Sequence, residues 1–259
     1  MLAVFSQTGK VEAEHRFVTP STYPDWLSTL QKAIKEQFGN YRLVAACCAI
    51  PGLVDRQQGV GKHFGNLKWQ NVPVERDLKR LLPHAQVFIE NDANLAGLSE
   101  AILVHDRYKK VLYLTVSTGV GDGIIVDGKI DHEFEDSEPG QMILEYQGKL
   151  QKWEDFASGK YLKTKYGLLA SQIEDPKVWQ EFSQGVARGL NELIDTLTPD
   201  VVIIGGGVGA HFEKFAKPLR EELLKLSSPL VPTPPLLKAQ RPEEAVVYGC
   251  YDFTRQKLA

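Results

Sequence analysis

No apolar run in the 259 residues approaches the length of a membrane span. The opening MLAVFSQTGKVEAEHRF has too short an apolar stretch for a secretory signal. Cysteine is scarce: Cys47, Cys48 and Cys250 make no disulfide framework, and two of them are adjacent inside an apolar run, where a thiol behaves as a small hydrophobe. A reducing cytoplasm is the compartment this implies. Excess charge is lacking too. Thirty Lys and Arg against 33 Asp and Glu leave a net charge of -3, which gives no general attraction to nucleic acid or an anionic membrane. There is no low-complexity tract and no short-period repeat. A hydrophobic content of 43% and a charged content of 24% are ordinary globular values, and the length fits one large or two small domains.

The most informative stretch that is present is 111–130, VLYLTVSTGVGDGIIVDGKI. An apolar strand from Val111 runs into Ser117-Thr118-Gly119-Val120-Gly121-Asp122-Gly123, and a second, Ile124-Ile125-Val126, closes at Asp127-Gly128. Glycines at 119, 121 and 123 permit φ > 0 and leave no Cβ in the way. Backbone N–H groups and the hydroxyls of Ser117 and Thr118 can then converge on an anion, as in a phosphate-binding nest. An ordinary Gly-rich hairpin accounts for the same residues.

Around this hairpin the pattern alternates. Residues 2–5 and 11–18 read as strands, 24–38 as a helix with Trp26, Leu27, Leu30, Ala33, Ile34 and Phe38 on one face. Residues 43–50 and 86–89 read as buried strands, and 93–104 as a helix with Asn91 or Asp92 as N-cap. Residues 131–156 read as polar and irregular. The longest helix spans 175–197, a core strand 200–204 ends in Gly205-Gly206-Gly207, and helices cover 211–226 and 245–256 around a proline-rich loop at 228–236. Alternation of this kind argues for α/β layers.

An ordered set of short motifs covers almost the whole chain: Ile50-Pro51-Gly52-Leu53-Val54-Asp55, Gly65-Asn66-Leu67-Lys68-Trp69, Glu90-Asn91-Asp92-Ala93-Asn94, Thr118-Gly119-Val120-Gly121, Glu138-Pro139-Gly140, Ala157-Ser158-Gly159 and Gly205-Gly206-Gly207. In order and spacing the chain resembles the ROK family of sugar kinases and sugar-responsive repressors. The resemblance implies an actin-like (ribonuclease H-like) α/β fold of two domains with a cleft between them, 1–108 and 109–259, the last helix returning to the first. It implies Asp92 as catalytic base, with Asn66, Asn91, Glu138, Gln141 and Glu154 lining one sugar pocket. Ser117, Thr118, Gly119 and Gly121 would hold phosphate, and Gly205, Gly206 and Gly207 adenosine. From the residues alone, Asp92 reads rather as a helix cap, Glu138 and Glu154 as solvated surface, and 205–207 is open to reading as a plain strand-to-helix turn.

Two departures from the family stand out. The family's zinc motif is replaced: Gln141 stands where a His is usual, and Glu145, Gln147 and Lys152 where three cysteines belong, so no structural zinc is expected. The family's first strand, with its Asp-x-Gly-Gly-Thr phosphate loop, is missing, because Met1-Leu2-Ala3-Val4-Phe5 resembles the second strand. Either the natural protein starts upstream, or the sheet is rearranged, or the molecule does not phosphorylate. The expected activity is therefore phosphoryl transfer from ATP with Mg²⁺, or from polyphosphate, to a hexose; the alternative is a non-catalytic sugar-binding pseudokinase. A repressor is set aside, since there is no room for a helix-turn-helix before Val4. The expected partner is a small-molecule sugar, with no nucleic acid and no membrane, and a homodimer as the assembly.

Overall fold

The computed structural model describes residues 1–65 and 67–259. The chain divides into two compact units, residues 1–96 with 246–259, and residues 97–245. Among the described residues no helix is long and apolar enough to cross a membrane.

In the first unit β1 (Leu2–Phe5) and β2 (Val11–His15) pair antiparallel. Their connection turns at Gly9, whose φ of 85° suits a residue without Cβ. Helix α1 (Tyr23–Phe38) begins where the Thr22 hydroxyl accepts the Asp25 N–H, and it buries Leu30, Ala33 and Phe38. Next come β3 (Ala45–Ile50) and an antiparallel meander of β4 (Gly52–Asp55), β5 (Val60–Phe64) and β6 (Gln70–Val72). Helix α2 (Val74–Leu81) and β7 (Gln86–Asn91) follow, and β7 pairs parallel with β3. Leu30, Ile50, Val54, Phe64, Trp69, Val87 and Ile89 form the core. Helix α3 (Asp92–Ile102) starts at the end of β7, and the division between the units falls within it.

The second unit is built on one five-stranded sheet. The hairpin of β8 (Lys110–Val116) and β9 (Val120–Val126) is extended by β10 (Lys129–Ile130). Residues 131–156 are not irregular. A 3₁₀ turn at Pro139–Gln141 leads into a second hairpin, β11 (Ile143–Tyr146) with β12 (Lys149–Lys152). Its turn pair Gln147-Gly148 has φ of 54° and 76°, the positive values a tight hairpin requires. Short helices α4 (Glu154–Ala157) and α5 (Gly159–Tyr166) follow, then α6 (Pro176–Leu197), with Asp175 as N-cap and Pro176 in its first turn. Strand β13 (Val201–Gly205) runs parallel to β8; α7 (Gly206–Gly209), α8 (Phe212–Leu226) and β14 (Leu236–Lys238), parallel to β13, complete the layer. The sheet and α6 enclose a core that includes Trp153, Phe156, Phe182, Leu190, Phe215 and Leu219, each no more than 1% exposed.

The closing helix α9 (Ala245–Leu258) belongs to the first unit from Val246 onward. It lies across both strand pairs there. Tyr251 stacks on Phe5 of β1 at 5.0 Å, and Phe253 meets Phe88 of β7 edge-on at 6.4 Å. Between them, the free thiols of Cys47 on β3 and Cys250 are hydrogen-bonded; that hydrogen bond and burial hold the Cys47 thiol well above the usual thiol range.

Candidate functional site

The motif residues of the first unit gather at the junction of β7 and α3. The buried Glu90 carboxylate takes Arg56 in a two-pronged bond, with Nε donating at 2.8 Å and the second prong at 2.5 Å. It also accepts the Asn91 N–H at 2.7 Å and the Asn94 Nδ2 at 3.2 Å. A buried charge held this way is paired and hydrogen-bonded on both oxygens, and it pins the backbone that carries Asn91 and Asp92. Asn91 is the cap of α3. Its Oδ1 accepts the N–H groups of Ala93 at 2.8 Å and Asn94 at 3.1 Å, and one Nδ2 proton goes to the Gly52 carbonyl at 3.0 Å.

The cap contacts to Ala93 and Asn94 are thus made by Asn91, and Asp92 follows as the first residue of the helix. It is partly buried at the head of the helix. Burial pushes its carboxyl up to about 6, against the opposing pull of the N–H groups of Ala93 and of Asp92 itself. A carboxyl with that value is ionised at neutral pH yet basic enough to take a proton. Asn66, the remaining sugar residue expected in this half, lies outside the described residues.

In the second unit the three-residue turn 117–119 joins the paired ends Val116 and Val120, and the Ser117 N–H donates to the Gly119 carbonyl at 2.9 Å. The glycines do not serve here by adopting φ > 0, as the sequence reading supposed. The positive-φ glycines are 9, 52, 59, 128, 148, 167 and 206. Close approach is what Gly119 provides: a Cβ there would sit 2.7 Å from Glu154 Oε2. A Cβ on Gly140 would be 3.2 Å from that same oxygen. The turn expected to hold phosphate and a carboxylate expected to hold sugar are thus in contact. The Ala157-Ser158-Gly159 motif packs on the same turn, with the Gly159 N–H donating to Ser117 O at 2.6 Å. Gly205 pairs in register with Thr115 at the end of β8, and Gly206, with φ 81°, passes close to Thr115 Oγ1. Space around Gly207 is open. Turn 117–119 and segment 205–207 therefore share one end of the sheet.

Gln141 and Glu154 are brought together directly. Gln141 Nε2 donates to Glu154 Oε1 at 2.9 Å, and Lys152 Nζ donates to Gln141 Oε1 at 2.7 Å. An ammonium on the amide oxygen and a carboxylate on the amide nitrogen fix which way the Gln141 amide points. Of the other residues at the family's cysteine positions, Glu145 accepts the Gly148 N–H at 2.7 Å and pairs with Arg188 at 3.5 Å, and Gln147 supplies the hairpin turn. No group of three His, Cys, Asp or Glu among the described residues is placed to hold a metal ion. Glu138 precedes Pro139–Gln141 and is exposed. Sequence reasoning missed Arg56 and Lys152. An Arg 34 positions before Glu90 carries no local signal, whereas the polar alternation about Gln147-Gly148 could have revealed the hairpin that presents Lys152.

The architecture is that of an α/β protein with glycine turns at the carboxyl ends of neighbouring strands, where such folds commonly hold ligands. The sequence profile of the ROK family matches residues 1–257, and the chain belongs to the ROK family. It is 27% identical over 291 residues to an N-acetyl-D-glucosamine kinase of Haemophilus influenzae, covering 96% of this chain and 93% of that protein. To a glucokinase of Streptomyces coelicolor it is 23% identical over 296 residues, covering 98% and 93%. Among solved structures, the ROK family glucokinase of Streptomyces griseus, in complex with glucose and AMPPNP, superimposes with a TM-score of 0.81 at 22% identity, covering 98% of this chain and 95% of that one. The fold is the actin-like α/β fold of sugar kinases, and the named relatives are carbohydrate kinases.

Proposed function

We propose that the chain is a sugar kinase that transfers the terminal phosphoryl group of ATP to a hexose hydroxyl. The observation that carries this is the division of labour at the head of α3: Asn91 caps the helix, and Asp92 is left as a partly buried carboxyl of raised basicity. In the proposed reaction Asp92 accepts the proton of the attacking hydroxyl as its oxygen bonds to phosphorus and ADP leaves. Glu138, Gln141 and Glu154 accept and donate hydrogen bonds to sugar hydroxyls, with Lys152 holding Gln141 in place. Asn66 and the second Nδ2 proton of Asn91 are further sugar contacts. The turn Ser117, Thr118, Gly119 and Gly121 takes phosphate, and Gly205, Gly206 and Gly207 take the nucleoside. Magnesium ordinarily keeps several waters and is held largely by nucleotide phosphates. Polyphosphate is a second donor to be tried.

The test is turnover with ATP and Mg²⁺ on glucose, N-acetylglucosamine and fructose, with and without Asp92→Asn. That substitution keeps shape and a hydrogen bond but removes the base, so turnover should fall by ~10²–10⁴-fold with sugar affinity retained. Because Asp92 must be ionised to act, kcat/KM should drop as pH falls through about 6. Robust turnover in Asp92→Asn would assign the chemistry to another base.

A second reading is a sugar-binding protein without turnover. It is favoured by the strand pairing of the first unit, where β1–β2 and β3–β7 are separate ladders among the described residues. Among the described residues no paired strand bearing the Asp-x-Gly-Gly-Thr phosphate loop joins them. Glucose binding without ADP release would decide for this reading.

A further inference from the structure

Asp122 lies on β9 between two glycines and is only 4% exposed. Its Oδ2 accepts the Ser137 hydroxyl at 3.1 Å. Its Oδ1 is buried with no hydrogen-bond partner among the described residues. A carboxylate oxygen in that position is costly unless it carries a proton or gains a donor. The charged group that faces Asp122 is Glu138, next in the chain to Ser137, while the residue opposite on β8 is the apolar Leu114. Burial pushes the Asp122 carboxyl up to about 7; the Ser137 bond opposes this and the Glu138 charge adds to it.

Ser137 and Glu138 lead straight into the turn that bears Gln141. Within it the Gln141 N–H donates to Glu138 O at 3.0 Å and the Met142 N–H to Pro139 O at 3.0 Å. The same segment borders a cavity of about 460 Å³, lined in part by Ile124, Phe134, Ser137, Met142 and Leu193. The turn therefore has a polar attachment to β9 and unfilled space along its flank.

We propose that Asp122 is a positioning residue for this turn. Its neutral carboxyl holds Ser137 on one oxygen and keeps charge off the buried other one and away from Glu138, so the turn carrying Glu138 and Gln141 is seated when Asp122 is protonated and loosened when it ionises. Only the consequence for substrate rests on the sugar-binding role proposed above for Glu138. The sign follows from linkage. The seated form has the higher pKa, so seating is favoured at low pH. It weakens as pH rises from the ordinary carboxylate value toward about 7, and levels off above that.

The test has a ligand-free readout and a glucose readout. Amide exchange protection at Gln141 and Met142 is measured from pH 5 to 8. In the wild type it should fall by up to about tenfold per pH unit below 7 and then flatten. Asp122→Asn keeps an acceptor for Ser137 and is uncharged at every pH, so protection should stay at its low-pH level throughout. Asp122→Ala should be poorly protected at every pH. Flat protection in the wild type, or an Asn variant that follows the wild type, would overturn the proposal. Glucose affinity is compared as the ratio of wild type to Asp122→Asn at each pH, which cancels the titration of Asp92; that ratio should decline from pH 5 to 7. Should no form bind glucose while the protection change persists, the sugar role of Glu138 falls and the positioning role of Asp122 stands.

Discussion

The two units handle β-structure in opposite ways. In the second, five strands form one continuous sheet, and all five residues of β13, Val-Val-Ile-Ile-Gly, are buried. In the first, β3 is nearly as apolar, Ala-Ala-Cys-Cys-Ala-Ile, yet only Ile50 is buried. Strand β13 has a neighbour on each side, β8 and β14, whereas β3 pairs only with β7 and β1 only with β2 among the described residues. Helix α9 spans the two ladders, so aromatic and thiol contacts supply part of what backbone pairing supplies in the second unit. An apolar composition makes a strand; neighbours on both edges make it a core strand.

Amide exchange should sharpen that contrast most. Central-strand amides exchange through global opening and edge amides through local opening. Amides of β13 should be at least ~10³-fold better protected than the unpaired alternate amides of β1 and β3. Equal protection in β3 and β13 would show that the first unit's edges are covered in solution. Core truncation should separate the units next. Phe182→Ala, within the α6 core, should lower unfolding free energy by ~3–5 kcal/mol, measured by urea denaturation. Cys48→Ala in β3 removes less volume at a looser site and should cost about 1 kcal/mol or less. The comparison breaks if the order reverses.

Arg56→Ala probes the ion pair to the buried Glu90 carboxylate in the first unit's motif region. Removing one partner of a buried pair strands the other charge and costs roughly 3–5 kcal/mol in well-buried cases; Arg56 is itself 20% exposed, so a smaller loss of ~2 kcal/mol is expected, together with reduced turnover because Glu90 then no longer fixes the head of α3. Unchanged kcat would mean that Asp92 is held by Asn91 alone. The smallest effect concerns metal. In the second unit Glu145 and Lys152 are engaged with Arg188 and Gln141, so dialysis against a chelator should leave the melting temperature unchanged, and elemental analysis should find no stoichiometric zinc. A chelator-induced loss of stability would overturn that reading.

Local features were legible where chemistry acts over a few residues. The Asp175-Pro176 start of the longest helix, the 111–130 hairpin and the apolar strand before Gly205 follow from capping, turn residues and periodicity, and the motif order identified the family. The strands of 52–72, helix α2 and the β11–β12 hairpin escaped notice because their short, mixed polar segments become ordered mainly by packing on neighbours. What tertiary structure alone decided is finer. It made Asn91 rather than Asp92 the cap, set Lys152 on Gln141, and placed Arg56 on Glu90 across 34 positions of chain. It also assigned Gly119 to making room for Glu154 rather than to a left-handed bend. Capping, periodicity and turn preference are energies of neighbouring residues, so a sequence displays them; which carboxylate is desolvated, and which is paired, depends on groups that meet only once the chain has folded.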